Sequence, residues 1–157
     1  MRIILAVSQD GFIADTGGEI PWDIPYDLKW FKMNTMNSTI GMGRKTWDTL
    51  QKPLVHRYHI ILSSRPMVSS FDDDVEQAYT IKQFRQRMND ENGWVIGGGI
   101  VAEQFFEKGN ILVLTTVYTD VNRGISIKLP DKMKCLWESP LKKQNGYTFR
   151  FSINKIL

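Results

Sequence analysis

The residues best suited to chemistry lie in the segment from Ile20 to Lys32, where one carboxylate sits among apolar and aromatic side chains. Pro25 has no backbone donor and a fixed φ, so it suits the first position of a helix. At about 100° per residue, Lys29 and Lys32 fall on one side of that helix and Asp27 on roughly the opposite side. Because lysines mark the solvent face, the spacing aims Asp27 at the apolar face.

Two interpretations of Asp27 follow from this placement. An acid in the first turn of a helix is often there only to complement the helix dipole. The orientation of Asp27 toward the apolar face favours a second interpretation, because a carboxylate among Leu28, Trp30 and Phe31 is costly to desolvate unless a polar group contacts it. That group would be a ligand whose cationic or amidine-like edge donates two hydrogen bonds at the bottom of an apolar slot.

Composition limits the class of protein. The chain has 157 residues, of which 42% are apolar and 24% charged, so the simplest organisation is one globular domain over residues 1–157. A net charge of +3 suits an anionic ligand, but no basic run with interleaved aromatic residues indicates nucleic acid. No apolar run approaches membrane-spanning length or a signal-peptide core, and Cys135 is the only cysteine. We expect a cytoplasmic monomer without membrane or nucleic-acid partners.

Short apolar runs alternate with segments of helical spacing along the chain. The expected strands cover residues 3–7, 39–42, 58–63, 94–96, 111–117, 134–137 and 147–153, and the expected helices cover 25–34, 44–50, 80–89 and 101–107. Strands separated by helices require crossover connections. The pattern therefore predicts a single-domain α/β fold with a central, mostly parallel sheet of about eight strands, helices on both faces and an antiparallel C-terminal edge. Residues 10–19 are expected to form a mobile loop, and 67–74 a polar loop.

Glycines stand between a strand and a helix at Gly43 and again at residues 97–99. Such a glycine lets an anion approach the free amides of the helix start, although it also permits tight packing alone. Arg44 and Lys45 follow the first turn, and residues 63–65 (Ser-Ser-Arg) end the next strand. Guanidinium, ammonium and hydroxyl groups together suit a ribose 2′-phosphate. Neither turn is the GxGxxG of dinucleotide-binding proteins.

The remaining residues that could bind a metal or act as nucleophiles are expected to have structural roles. His56 and His59 have a metal-like separation, but no third ligand accompanies them and a strand would splay them apart. The acidic run at 72–74 is expected to be a solvated loop, and Cys135 is expected to be an inert residue within a strand. We therefore predict no metal site.

Several motifs resemble those of dihydrofolate reductases, in the family's order and near its spacing. They are Ile20-Pro21-Trp22, Pro25, Asp27-Leu28, Trp30-Phe31-Lys32, Gly43-Arg44-Lys45-Thr46-Trp47, Ile61-Leu62-Ser63-Ser64-Arg65 and Val95-Ile96-Gly97-Gly98-Gly99. The resemblance covers essentially the whole chain and is weakest after residue 118. It implies NADPH-dependent reduction of 7,8-dihydrofolate to 5,6,7,8-tetrahydrofolate, and inhibition by antifolates.

The resemblance also implies roles for individual residues. Asp27 would anchor the pteridine and favour protonation of its imine, Trp22 would help hold the water that brings the proton, and Thr115 would donate a hydrogen bond to the carboxylate. The implied substrate contacts are Ile4, Ala6, Leu28, Phe31, Leu50, Leu54, Arg57 and Ile96, with Arg57 on the glutamate tail. The implied NADPH contacts are Ala6, Ile13, Ile20, Gly43, Arg44, Lys45, Thr46, Ser63, Ser64, Arg65, Gly97, Gly98, Gly99, Ile100 and Val101.

Within that set, Arg44, Ser64 and Arg65 would hold the adenosine phosphate. The resemblance further implies a cis peptide between Gly97 and Gly98, and a loop over residues 14–20 that closes over the nicotinamide.

Three departures from the family pattern stand out. Ile100 and Ala102 replace the usual polar and aromatic residues after the glycines, and His56 replaces a turn glycine. The acid that braces the mobile loop is missing from residues 124–130, which predicts a loop that is looser or held differently. Two alternatives therefore stay open: a related reductase of the riboflavin pathway, and a catalytically weak relative that binds the cofactor as a structural component.

Overall fold

The computed structural model describes residues 1–67, 73–89 and 91–157, and within them the chain alternates strands and helices. The strands are β1 (Arg2–Ser8), β2 (Phe12–Ala14), β3 (Ser38–Gly43), β4 (Arg57–Leu62), β5 (Val75–Ala78), β6 (Gly93–Gly97), β7 (Ile111–Val117), β8 (Ile125–Ser126), β9 (Met133–Glu138), β10 (Lys142–Gln144) and β11 (Tyr147–Ile156). The helices are α1 (Pro25–Thr35), α2 (Arg44–Thr49), α3 (Ile81–Met88) and α4 (Gly99–Glu103). No helix in the described ranges is long and apolar enough to span a membrane.

The main sheet has nine strands, and six of them run parallel in the order β5-β4-β3-β6-β1-β7. Strand β11 pairs antiparallel with β7, and β9 and β10 pair antiparallel with β11. The prediction of an α/β fold with a mostly parallel sheet and an antiparallel C-terminal edge is confirmed.

Helices cover both faces of this sheet, as predicted. Ile3 of β1 packs in one core cluster with Phe84 of α3 and Val101 of α4. Ile4, the next residue, lies in a second cluster on the opposite face, against Phe31 of α1. Strand β1 is buried on both sides, which explains its continuous apolar run.

Two helix boundaries follow the sequence signals closely. Pro25 is the first residue of α1. The hydroxyl of Thr80 caps α3 by accepting a hydrogen bond from the amide of Gln83 at 3.2 Å. The prediction of a helix over 101–107 is wrong at both ends. The helix begins earlier, at Gly99, because the Ala102 amide already donates to the Gly98 carbonyl. It ends at Glu103, after which the chain tightens into three-residue turns.

The expectation of a free loop over residues 10–19 is wrong for its first half. Phe12 pairs with Ser126 and Ala14 with Ile125, so β2 and β8 form a second, two-stranded sheet. Gly124, at φ +151°, is required there, because a Cβ on it would overlap the Ala14 carbonyl oxygen.

The hairpin between β10 and β11 turns through Asn145 and Gly146, both at positive φ, as a two-residue turn requires. Strand β10 itself was not expected, because its Lys-Lys-Gln sequence carries no apolar signal. Most of the loop predicted over 67–74 lies outside the described residues.

Candidate active site

The carboxyl ends of the parallel strands meet at one edge of the sheet, where α/β proteins commonly bind ligands. Thr115 of β7 pairs with Ala6 of β1, while Gly97 of β6 pairs with Met42 of β3. Gly43, at the end of β3, pairs with Leu62 of β4. Thr115, Gly97 and Gly43 therefore lie along one edge, whereas Arg57 is the first residue of β4 and lies toward the opposite, amino edge.

Asp27 lies at the β7 end of this edge. The hydroxyl of Thr115, which is buried, donates a hydrogen bond of 2.5 Å to Asp27 Oδ1. No lysine, arginine or histidine in the described ranges forms an ion pair with Asp27. Burial raises the pKa of the Asp27 carboxyl, and the hydrogen bond from Thr115 opposes that rise without cancelling it.

Part of the predicted apolar wall is assembled on the face of the sheet against which α1, the helix that carries Asp27, packs. Its members belong to the core cluster around Ile4 and are otherwise only partly buried: Phe31, Leu50, Leu54 and Ile96. Leu28 is 60% exposed and so lies outside that cluster, at the surface of α1. Ala6 instead packs against the cluster that contains Trp22. The structure thus gathers four of the predicted wall residues around Ile4.

Trp22 is buried, and its indole Nε1 has no hydrogen-bond partner in the described part of the chain. Trp30 and Trp94 share this property, so the unpartnered N–H does not by itself single out Trp22. A buried N–H donor gains free energy from any acceptor that reaches it.

Arg57 is 7% exposed, which rules out a solvated surface side chain. Its Nη1 donates to the Val55 carbonyl at 2.7 Å, and its Nε to the Thr35 hydroxyl at 3.4 Å. Burial lowers the pKa of the guanidinium. Within the described ranges no carboxylate pairs with it.

The two glycine turns lie against each other. A Cβ on Gly43 would lie 3.0 Å from Val101 Cγ2 and 3.8 Å from the Gly98 nitrogen. A Cβ on Gly98 would lie 3.5 Å from the Thr46 hydroxyl. The peptide between Gly97 and Gly98 is cis, as predicted.

Basic and hydroxyl side chains gather at the β3 and β4 ends of the edge. Arg44 holds Asp48 through Nε at 3.0 Å. Ser64 and Arg65 are exposed, whereas Ser63 is buried and its hydroxyl donates to the Arg65 carbonyl at 2.9 Å. Lys45 is also exposed and forms no ion pair within the described residues.

The apolar residues expected near the nicotinamide differ in exposure. Ile13 approaches Gly99, whose Cβ position lies 3.2 Å from Ile13 Cδ1. Ile20 and Ile100 are 54% and 81% exposed, and Val101 is buried.

Asp10 is a residue that the sequence analysis missed. Its carboxylate accepts hydrogen bonds from the Ser8 hydroxyl at 2.5 Å, the Val121 amide at 3.0 Å and the Asn122 amide at 2.9 Å. Desolvation acts to raise the pKa of Asp10, but these hydrogen bonds outweigh it and leave the pKa lowered. Asp10 follows β1, so its carboxylate ties the segment that leads to β8 to the end of β1. The Ser-x-Asp spacing was the sequence signal that could have identified this role.

Gln77 of β5 was missed as well. Its amide donates to the carbonyls of Ser63 and Arg65 and accepts from the Met67 amide. This buried side chain fixes the turn that presents Ser64.

These features define an α/β protein whose candidate active site lies at the carboxyl edge of a parallel sheet, with a partly buried acid at one end and exposed cations at the other. A family model described as dihydrofolate reductase matches residues 1–154. The chain belongs to the dihydrofolate reductase family.

Individual relatives agree with this assignment. The dihydrofolate reductases of Buchnera aphidicola from Acyrthosiphon pisum and from Schizaphis graminum are 31% and 34% identical to this chain, over 98% of the chain and 97% of their own lengths. The dihydrofolate reductase HdrB of Haloferax volcanii is 29% identical over 94% of this chain and 80% of its own length.

Proposed function

We propose that this protein reduces 7,8-dihydrofolate to 5,6,7,8-tetrahydrofolate with NADPH. The observation that carries the proposal is the Asp27 carboxyl, which is partly buried, accepts a hydrogen bond from Thr115 and has no cationic partner in the described ranges. A desolvated acid without a protein cation is stabilised by a ligand that brings N–H donors to it. The amino-pyrimidine edge of a pteridine supplies such donors.

Asp27 would act on the substrate through hydrogen bonds and charge. When ionised, it accepts two hydrogen bonds from the pteridine edge, and its negative charge favours a proton on the imine nitrogen. Thr115 keeps the carboxylate oriented through its short hydrogen bond. The imine lies at the far side of the ring from Asp27, so water delivers the proton, and the free indole N–H of Trp22 suits the holding of that water.

The rest of the substrate would lie along the wall already described. Leu28 and Phe31 of α1 and Leu50 and Leu54 beyond α2 would pack on its pteridine and benzoyl parts. The buried guanidinium of Arg57 would pair with the tail carboxylate, the anion that this side chain lacks within the described residues.

The residues at the other end of the edge fit a phosphorylated nicotinamide cofactor, which supplies the hydride when bound. Gly43 leaves bare backbone at the end of β3, where a Cβ would press against Val101 of α4 at 3.0 Å. Arg44, Ser64 and Arg65 would hold the 2′-phosphate, which favours NADPH over NADH.

Further contacts of this chain with the cofactor would come from apolar and backbone groups. Ile13 and Ile20 would exclude water from the nicotinamide, and Lys45 would lie near the pyrophosphate. The remaining members of the proposed cofactor site are Ala6, Thr46, Ser63, Gly97, Gly99, Ile100 and Val101.

The test is NADPH oxidation by the purified chain, measured by absorbance with dihydrofolate and, separately, with the pyrimidine substrate of the riboflavin-pathway reductase. We expect oxidation with dihydrofolate alone. Oxidation only with the pyrimidine substrate would select the related reductase, and cofactor binding without oxidation of either would select a structural relative. Size-exclusion chromatography of the same sample tests the expected monomer.

A further inference from the structure

His59 is fully buried in β4, and both of its ring nitrogens face backbone groups. Nε2 lies 2.9 Å from the amide nitrogen of Leu54, and Nδ1 lies 3.2 Å from the carbonyl oxygen of Asp74. An amide N–H only donates and a carbonyl oxygen only accepts, so these partners fix the tautomer. Nδ1 carries the proton, and Nε2 accepts from Leu54.

The hydrogen bond to Leu54 holds the start of the turn that precedes β4. Leu54 belongs to the apolar wall of the candidate site. The carbonyl of the next residue, Val55, accepts the 2.7 Å hydrogen bond from Arg57 Nη1. One imidazole nitrogen therefore anchors residues 54–57. This segment contains the wall residue Leu54 and the carbonyl of Val55, which orients the buried guanidinium of Arg57.

We propose that neutral His59 is a positioning residue that holds residues 54–57 in the conformation that binds the tail of the substrate, and that its protonation releases them. A proton on Nε2 would leave two N–H donors facing each other, so the bond to Leu54 would be replaced by repulsion. This inference rests on the proposed function, because the effect on substrate requires that Leu54 and Arg57 contact dihydrofolate.

The surroundings of His59 keep the imidazole neutral. The charge of Arg57, two residues earlier in β4, opposes a positive charge on the ring, whereas the backbone of Arg57 and Asp74, just before β5, favour one. The other elements against the ring present uncharged groups: Trp47 of α2, whose ring lies edge-on at 5.7 Å, and the neighbouring strand residues Ile40 and Val75. Burial is the largest effect, and the pKa of His59 is lowered from 6.5. The release is therefore expected on the acid side of neutrality.

The first test reads the tautomer directly by ¹⁵N NMR of the histidine rings, with the exposed His56 removed by His56→Asn to assign the signals. We expect a protonated Nδ1 and an unprotonated Nε2 at pH 7, and a Leu54 amide shift that titrates with His59. A proton on Nε2 at pH 7 would overturn the proposal. This readout needs no substrate, so it stands apart from the test of the proposed function.

The second test compares His59→Gln, which retains an acceptor but does not titrate, with His59→Leu, which has none. For wild type, we expect KM for dihydrofolate to rise about five- to tenfold as His59 protonates, with kcat changed much less. His59→Gln should remove that rise, and His59→Leu should show a raised KM at all pH values. An acid-side rise in KM that is equal in wild type and His59→Gln would overturn the proposal.

Discussion

The two ends of the carboxyl edge of the sheet have opposite chemistry. At the β7 end, Asp27 is a partly buried acid that accepts a hydrogen bond from a hydroxyl group. At the β3 and β4 ends, Arg44, Ser64 and Arg65 present cations and a hydroxyl toward solvent. Burial disfavours the ionised form of Asp27 at one end, whereas the cations at the other end stay hydrated and accessible to an anion.

This difference shows how one sheet edge can separate two ligands. Burial at Asp27 raises the pKa of the acid, so in the proposed function a donor from the ligand would stabilise its ionised form. Hydrated cations give less free energy per contact, but they discriminate a 2′-phosphate from a hydroxyl. We therefore expect changes at the Asp27 end to alter turnover, and changes at the Arg44 end to alter cofactor preference.

The largest effect is expected for Asp27→Asn. Loss of the negative charge should lower turnover with dihydrofolate by roughly 10²-fold or more at neutral pH, because imine protonation is no longer favoured. Steady-state kinetics measure the loss, with Asp23→Asn, an exposed acid four residues earlier, as the matched control. Normal turnover by Asp27→Asn would remove the proposed mechanism.

An inhibitor probes the same end without catalysis. A 2,4-diaminopyrimidine antifolate at 100 times its Kd should stabilise the protein by about 2.7 kcal/mol, which thermal unfolding detects as a rise in Tm. Most of the rise should vanish in Asp27→Asn, since the ligand then lacks its carboxylate partner. An equal rise in both proteins would show that the ligand binds elsewhere.

Arg44→Ala probes the opposite end. We expect NADPH binding to weaken by about 1.5–3 kcal/mol and NADH binding to change much less, because only NADPH carries the 2′-phosphate. Asp48→Asn removes the ion-pair partner of Arg44 but leaves the guanidinium, so it serves as the control and should bind NADPH nearly as wild type does. Equal weakening of both cofactors by Arg44→Ala would contradict the assignment.

The smallest effect concerns stability. The pKa of Asp27 is raised in the folded protein, so the folded state binds more protons than the unfolded state between the ordinary value of 3.8 and that raised value. Ionised Asp27 therefore costs stability at neutral pH. Asp27→Asn should raise the free energy of unfolding by about 1 kcal/mol at pH 7, and the gain should be smaller at about pH 4 and vanish below the ordinary value. Urea denaturation at both pH values measures this, and a loss of stability at pH 7 would show that the carboxylate is well satisfied.

The features that the sequence predicted well depend on residues close together in the chain. Pro25 and the lysine spacing were enough to place α1 and to orient Asp27, and Thr80 was enough to begin α3. The recurring order of strand, glycine and helix located the glycine turns, and the resemblance supplied the cis peptide. These signals depend on residues within one or two turns of each other, which a single sequence displays.

What the sequence did not predict depends on distant partners. Pairing of β2 with β8 joins segments more than a hundred residues apart, and it depends on the close fit of Gly124 against Ala14. The acceptor role of Asp10 likewise depends on amides at Val121 and Asn122. The buried ring of His59 gave no signal beyond its residue type, because the Leu54 and Asp74 backbone groups that fix it are set by packing.

The most direct test of this account is the titration of the Asp27 carboxyl in the free protein, followed by ¹³C NMR and assigned by its loss in Asp27→Asn. We expect a midpoint above the ordinary value of 3.8, since burial outweighs the Thr115 hydrogen bond and no cation compensates in the described ranges. A midpoint at or below 3.8 would mean that the carboxylate is solvated or paired within the protein, and the proposed substrate contact would then have no physical basis.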